Sequence, residues 1–231
     1  SVKFGIVGAI FHPQVDYTQL IYSKEPYAKD PIQVINYVSC HDDLCLVDKL
    51  KKSLPKDASE EELIKFDKLA QTVVFTSQGI PFIYAGEEVF RNKKGVHNTY
   101  QLPDSINQIN WNYKTVYHDI FEYYKGLISL RKLHPAFRLA TEQSVQEHLK
   151  FIDMNTPNVI AYQLSQHANG DNWREILVVF NGNRKPVEVE IPGGEWNLVC
   201  YDGKINLAGI SVVNNLNLVV PASSASILYQ N

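Results

Sequence analysis

Residues 35–43 read Ile-Asn-Tyr-Val-Ser-Cys-His-Asp-Asp, and the polar end of this run concentrates groups able to do chemistry. His41, Asp42 and Asp43 put an imidazole and two carboxylates at one point of the chain, where they offer donors and acceptors to a polar ligand. Side chains alternate along a strand, so Cys40 and Asp42 point one way and His41 and Asp43 the other until the strand ends. Only part of the cluster can face a substrate. The plainer reading is a buried, hydrogen-bonded His-Asp pair that caps a strand. Cys40 and Cys45 flank the cluster, but without a second close Cys or His pair the spacing does not make a zinc site, and no metal is assigned.

Two other stretches carry candidate groups. Glu87-Glu88 could pass for a catalytic carboxylate pair, yet adjacent residues on an extended chain diverge, so the two do not read as a dyad. Asn98, Tyr100 and Asp104 lie in an Asn-rich stretch over 91–112 that also holds Trp111. Amides and aromatic rings bind neutral sugar by paired hydroxyl contacts and face stacking. The competing reading has the amides satisfying their own backbone and Trp111 packed on the next helix.

The elements that must position these groups alternate between strand and helix. A strand is predicted over 33–39, followed by a long connection over 44–55. Ser59 and Glu62 have capping-box spacing, and Leu63, Phe66, Ala70, Val73 and Ser77 then repeat with helical period until Gly79. Phe82-Ile83-Tyr84-Ala85 is a short continuous apolar run, the pattern of a parallel strand buried on both faces. A second helix is predicted over 115–133, stopped by Pro135. Residues 1–27, with Gly5, Gly8 and Pro13, read as loop with at most one brief strand or helical turn.

From Leu149 the pattern changes. Strand-like pieces recur at 149–152, 159–164, 176–180, 187–191, 196–200, 210–213, 216–219 and 226–229, separated by Asn-Gly, Pro-Gly and Asp-Gly turns. These predict a separate antiparallel β-sandwich. The fold class is therefore α/β followed by all-β, divided into residues 1–137 and 138–231. Two strand-helix units are about a quarter of a (β/α)8 TIM barrel, and alone they would leave sheet edges and an apolar face uncovered. In the sandwich, Trp173, Trp196, Tyr201 and Tyr229 read as core or packing residues sooner than as a sugar platform.

Composition narrows the function. With 45% hydrophobic residues the chain has a real core, and a net charge of −3 without any Lys/Arg block argues against nucleic acid. Three cysteines do not make a disulfide framework and favour free thiols. No segment has the pattern of a signal peptide or a membrane span, and no compartment is assigned.

Val38-Ser39-Cys40-His41-Asp42-Asp43 resembles the strand-seven motif of the alpha-amylase superfamily of glycoside hydrolases, and Ile35 to Ser39 before it resembles the type I pullulanase branch. Gln78 to Glu88 resembles the strand-eight motif, and the stretches 95–100 and 103–111 resemble the pullulanase segment that follows it. Leu130 to Phe137 and the sandwich complete the match. The resemblance implies the last strand-helix units of a TIM barrel and a C-terminal sandwich. It further implies retaining hydrolysis of alpha-1,6-glucosidic links in pullulan, glycogen or other branched alpha-glucans, with Asp42 as transition-state stabiliser and His41 as its neighbour on the sugar hydroxyls. Asn98, Tyr100 and Asp104 become substrate contacts, and Glu88 a supporting residue at the barrel mouth. The nucleophile and general acid would come from an upstream barrel portion, so the chain alone is expected to be inactive. No cofactor is assigned; calcium is an open question for the parent. Asp43 departs from the branch, where Asn is usual, and either raises the pKa of Asp42 by repulsion or points at solvent. Three rivals remain: an isoamylase-like or alpha-1,4-acting hydrolase, a non-catalytic carbohydrate-binding fragment, and one piece of a nicked enzyme.

Overall fold

The computed structural model describes residues 1–231, and a seven-stranded antiparallel sheet backed by helices organises it. The chain opens with α1 (Val2–Ile6), then β1 (Ile35–Asn36), α2 (Leu46–Ser53), α3 (Glu60–Thr76) and β2 (Ile80–Pro81). Next come α4 (Asp104–Asn107), α5 (Tyr113–Val116), α6 (His118–Leu133) and α7 (Glu142–His148). The sheet region holds β3 (Leu149–Ile152), β4 (Val159–Leu164), β5 (Glu175–Asn181), β6 (Val187–Glu190), β7 (Trp196–Tyr201), β8 (Lys204–Ile205), β9 (Ser211–Val213), β10 (Asn217–Val220) and β11 (Ser224–Gln230).

β1 and β2 pair in parallel, Ile35 opposite Ile80 and Asn36 opposite Pro81, with α2 and α3 as the crossover. The strand expected over 33–39 is cut to Ile35–Asn36, and the second strand falls at Ile80–Pro81, ahead of the expected 82–85, whose Phe82 and Ala85 are exposed and not buried on both faces, because neither strand has a partner on its outer edge. Ile80 and Phe82 donate to Val34 and Asn36, so Pro81, which has no N–H, sits where none is needed.

α3 starts as its sequence predicts, with Ser59 accepting from the Glu62 N–H. The other half of the capping box is not made: the Glu62 carboxylate pairs with Arg184, which follows β5. The end of α3 is capped from α6, where buried Arg131 donates to the carbonyls of Phe75 and Ser77 at 2.9 and 2.8 Å and to that of Gly79. Those carbonyls have no intrahelical partner, so a guanidinium fork is well matched to them. The helix expected over 115–133 is broken at Tyr117 into α5 and α6.

The sheet runs β3-β4-β5-β11-β7-β8, with β9 on β7, and a two-stranded ribbon of β6 and β10 lies over one face. Ala161, Leu177, Val179, Trp196, Leu198 and Leu228 pack against Val187, Val189, Leu218 and Val220 of the ribbon. The opposite face, with Tyr162, Val178, Phe180, Val199 and Ile227, joins one core with Ile6, Leu69, Phe75, Leu127 and Leu130. The sandwich is therefore not separate. Its central strands are buried on both faces, which is why β5 reads Ile-Leu-Val-Val-Phe without alternation.

Polar anchors fix the same junction. The Tyr162 hydroxyl donates to the Thr76 carbonyl at 2.7 Å, and Asp171 accepts from His134 Nδ1 at 2.9 Å and from the Ala136 and Trp173 N–H groups. Residues 1–27, read as loop, also bind the sheet. His12 Nε2 donates to Leu149 O at 3.1 Å, and the Gln14 side-chain amide makes both bonds to the Phe151 backbone at 2.8 Å. These side chains cover the free edge of β3 as a neighbouring strand would.

Candidate active site

His41 and Asp42 lie just beyond the C-terminal end of β1, where the chain turns toward α2. Their side chains are 77% and 74% exposed, with His41 Nε2 3.4 Å from Asp42 Oδ1. That contact is too long to engage either group fully, and neither side chain has another partner in the chain. The buried-cap reading is thereby excluded: a free carboxylate and a free imidazole face outward. Together they present acceptors and a donor to solvent.

Asp43 points toward solvent, as one of its two expected roles has it, with its side chain 60% exposed. Its backbone is left-handed, φ 56, and its carboxylate also pairs with His97 Nδ1. The Asp43 N–H donates to Asn98 Oδ1 at 3.0 Å. Asn98 thus uses its carbonyl oxygen within the protein, and its amide NH2 remains free. Tyr100 is 80% exposed in a 3-10 turn over Thr99–Gln101, and Asp104 is exposed at the first position of α4. Trp111 is 64% exposed and does not pack down on the following helix.

The polar stretch 91–112 is held from below. Asp48 of α2, buried, accepts from the Lys93 N–H at 2.5 Å, the Gly95 N–H at 2.9 Å and the Cys45 thiol at 2.9 Å. Lys93, also buried, donates to Thr99 Oγ1 at 2.7 Å, and Asn107 bonds Thr99 from the other side. Asp48 and Lys93 gave no signal in the sequence, because isolated charged residues there match the pattern of a solvated loop.

The supporting role expected of Glu88 falls to its neighbour. Glu88 accepts only from the Gly86 N–H at 2.8 Å and closes its own turn. Buried Glu87 joins three segments instead: it accepts from Ser39 Oγ after β1, from Gln71 Nε2 of α3 at 2.9 Å and from the Tyr84 N–H after β2 at 3.2 Å. Burial pushes its carboxyl up to about 7, against those hydrogen bonds. Two residues of α3, Asp67 and Gln71, extend this network, and Tyr124 donates to Asp67 at 2.9 Å.

Cys40, His41 and Asp42 offer donor atoms within 4.8 Å of one another. A thiol and an imidazole do not suit calcium, which takes oxygen ligands. Cys45 is not in the set; burial, and its bond to Asp48, push its thiol up to about 12, so it is no ready thiolate. No helix is long and apolar enough to cross a membrane.

Comparison with known proteins places this geometry. Residues 145–204 match the family model described as "Pullulanase, all-beta domain". A pullulanase of Bacillus subtilis strain 168 is 37% identical over 176 residues, covering 76% of this chain and 24% of the relative. The solved pullulanase from Bacillus acidopullulyticus superposes with a TM-score of 0.88 at 36% identity, over 99% of this chain and 26% of that one. A pullulanase from Paenibacillus barengoltzii, solved in complex with maltohexaose and alpha-cyclodextrin, gives 0.85 at 34% identity, over 99% of this chain and 33% of its own. The chain spans about a quarter to a third of the length of these relatives.

Proposed function

We propose, given that the chain belongs to the pullulanase family, that it is part of a retaining glycoside hydrolase acting on alpha-1,6-glucosidic links of branched alpha-glucans. The observation that carries the reading is the outward-facing His41-Asp42 pair at the end of a parallel strand, beside the Asn98-Tyr100-Asp104 segment. Asp42 accepts hydrogen bonds from ring hydroxyls, bonds that tighten as the sugar flattens toward its oxocarbenium-like transition state. His41 donates to a neighbouring hydroxyl, the Asn98 amide to another, and Tyr100 offers a ring face.

Retaining hydrolysis also needs an attacking carboxylate and an acid. Glu87 is buried and Asp43 is tied to His97, so neither is free to attack. In this reading residues 1–137 are the last strand-helix units of a TIM barrel, and residues 138–231 are its β-sandwich. The missing carboxylates come from an upstream barrel portion that pairs with the outer edges of β1 and β2. The apolar side chains Ile35, Tyr37, Ile80 and Phe82, exposed beside those edges, support such a partner. The relative solved with maltohexaose and alpha-cyclodextrin supports a glucan substrate.

The test is pullulan hydrolysis by the chain alone and by the chain mixed with an upstream barrel portion. The chain alone should be inactive and the mixture active, and Asp42→Asn should lower kcat of the mixture by about 100-fold or more. Full activity of the Asn variant would remove Asp42 from the chemistry.

A further inference from the structure

Two segments distant in sequence carry the side chains that this reading directs at glucan, residues 40–43 and 97–104, and they meet at Asp43. The Asp43 N–H donates to Asn98 Oδ1 at 3.0 Å, and its carboxylate accepts from His97 Nδ1. Lys52 Nζ of α2 donates to His97 Nε2 at 2.5 Å, which leaves Nδ1 as the nitrogen that carries a proton toward Asp43. One turn earlier on the same helix, Asp48 holds the Lys93 and Gly95 N–H groups. α2 therefore grips the second segment at its root with Asp48 and near its tip with Lys52.

Both partners at the meeting point have left-handed backbones, Asp43 with φ 56 and Asn98 with φ 45. Non-glycine residues keep that conformation when surrounding contacts hold it, and Asp and Asn tolerate it best. An Asn at position 43 could take the same backbone form. It would accept from His97 as a neutral amide, a weaker partner than a carboxylate. The carboxylate at position 43 thus coincides with a histidine placed to use it.

We infer that Asp43 and His97 are positioning residues that clamp the 97–104 segment onto the 40–43 turn. The clamp presents the free Asn98 amide and Tyr100 to the sugar that His41 and Asp42 hold. Asp43 and His97 act through Asn98, and their own polar atoms face each other and Lys52. The inference deepens the hydrolase reading and rests on it only for its kinetic part.

Two measurements test it. In the 231-residue chain, His97→Ala should speed hydrogen exchange of the Asp43 and Leu102 amides, which donate to Asn98 Oδ1 and the Thr99 carbonyl, about fivefold, the scale of one exposed charge-assisted contact. His97→Gln, which can still donate to Asp43, should restore slow exchange, and Asp43→Asn should fall between the two. In the reconstituted enzyme, His97→Ala should raise KM for pullulan about fivefold with kcat within twofold, and His97→Gln should recover it. Unchanged exchange in His97→Ala overturns the clamp. Faster exchange with unchanged KM overturns the positioning role. A wild-type mixture without pullulan hydrolysis counts against the hydrolase reading, while the exchange measurement still decides the clamp.

Discussion

Glu87 illustrates how one side chain takes on a role that its identity does not announce. It is chemically the same as Glu88, but the turn at Gly86, with φ 98, sends it inward to Ser39, Gln71 and Tyr84. Burial favours the neutral acid and raises its pKa from 4.5 to about 7. A carboxyl raised in the folded state contributes stability that is complete below about 4.5 and is lost as pH rises through about 7. The loss amounts to roughly 3 kcal/mol at most. Urea unfolding of the chain between pH 5 and 8.5 should show this decline, and Glu87→Gln should flatten it. Asp67, whose pKa burial also raises, remains in both proteins, so some slope persists. Equal slopes in the two proteins would remove Glu87 from the account. The family resemblance pointed to Glu88, and alternation along an extended chain separates the two carboxylates without saying which one points inward.

Among the elements, α3 and α6 decide how the site is mounted. The apolar repeat located α3 correctly, but its most buried face includes Asp67, Gln71, Thr72 and Thr76, residues that a hydrophobic period cannot register. They are buried because α6 and the Glu87 network supply partners, such as Tyr123 to Thr72 at 2.7 Å. α6 packs on β8 at Gly126, where an added Cβ would lie 2.0 Å from Ile205 Cγ2. Gly126→Ala should destabilise the chain by about 1–3 kcal/mol, as overpacking does, and Ile205→Ala in the same chain should recover part of the loss. Thermal unfolding of the two variants checks this. A neutral Gly126→Ala would mean that β8 can move away from the helix. α2 read as connection although Val47, Leu50 and Leu54 recur at helical spacing and pack on one small core, a period too short to stand out between flanking polar residues. Its charged residues, Asp48 and Lys52, turn out to hold the loop that carries half of the candidate site.

For the whole molecule, the main question is the surface around β1 and β2. Ile21, Tyr22, Tyr27, Ile32, Ile35, Tyr37, Ile80 and Phe82 are exposed, and Tyr22 is 100% so. Scattered apolar residues are ordinary on a surface, but Ile32, Ile35, Tyr37, Ile80 and Phe82 of this set lie on or directly next to a two-stranded sheet with unpaired edges. The chain alone should bind a hydrophobic dye strongly, and an upstream barrel portion should suppress that signal in proportion to complex formed. Strong dye binding that survives complex formation would place the partner elsewhere. Sequence by itself determined the eight strand segments at 149 and beyond, the two main helices and the His41-Asp42 motif, because local period, turn residues and motif order are properties of short windows. Only the tertiary structure decided that the sheet shares one core with the helices, that Glu87 turns inward and that Asp43 meets His97. Each of these depends on contacts between residues 48 to more than 100 positions apart, which no local pattern encodes.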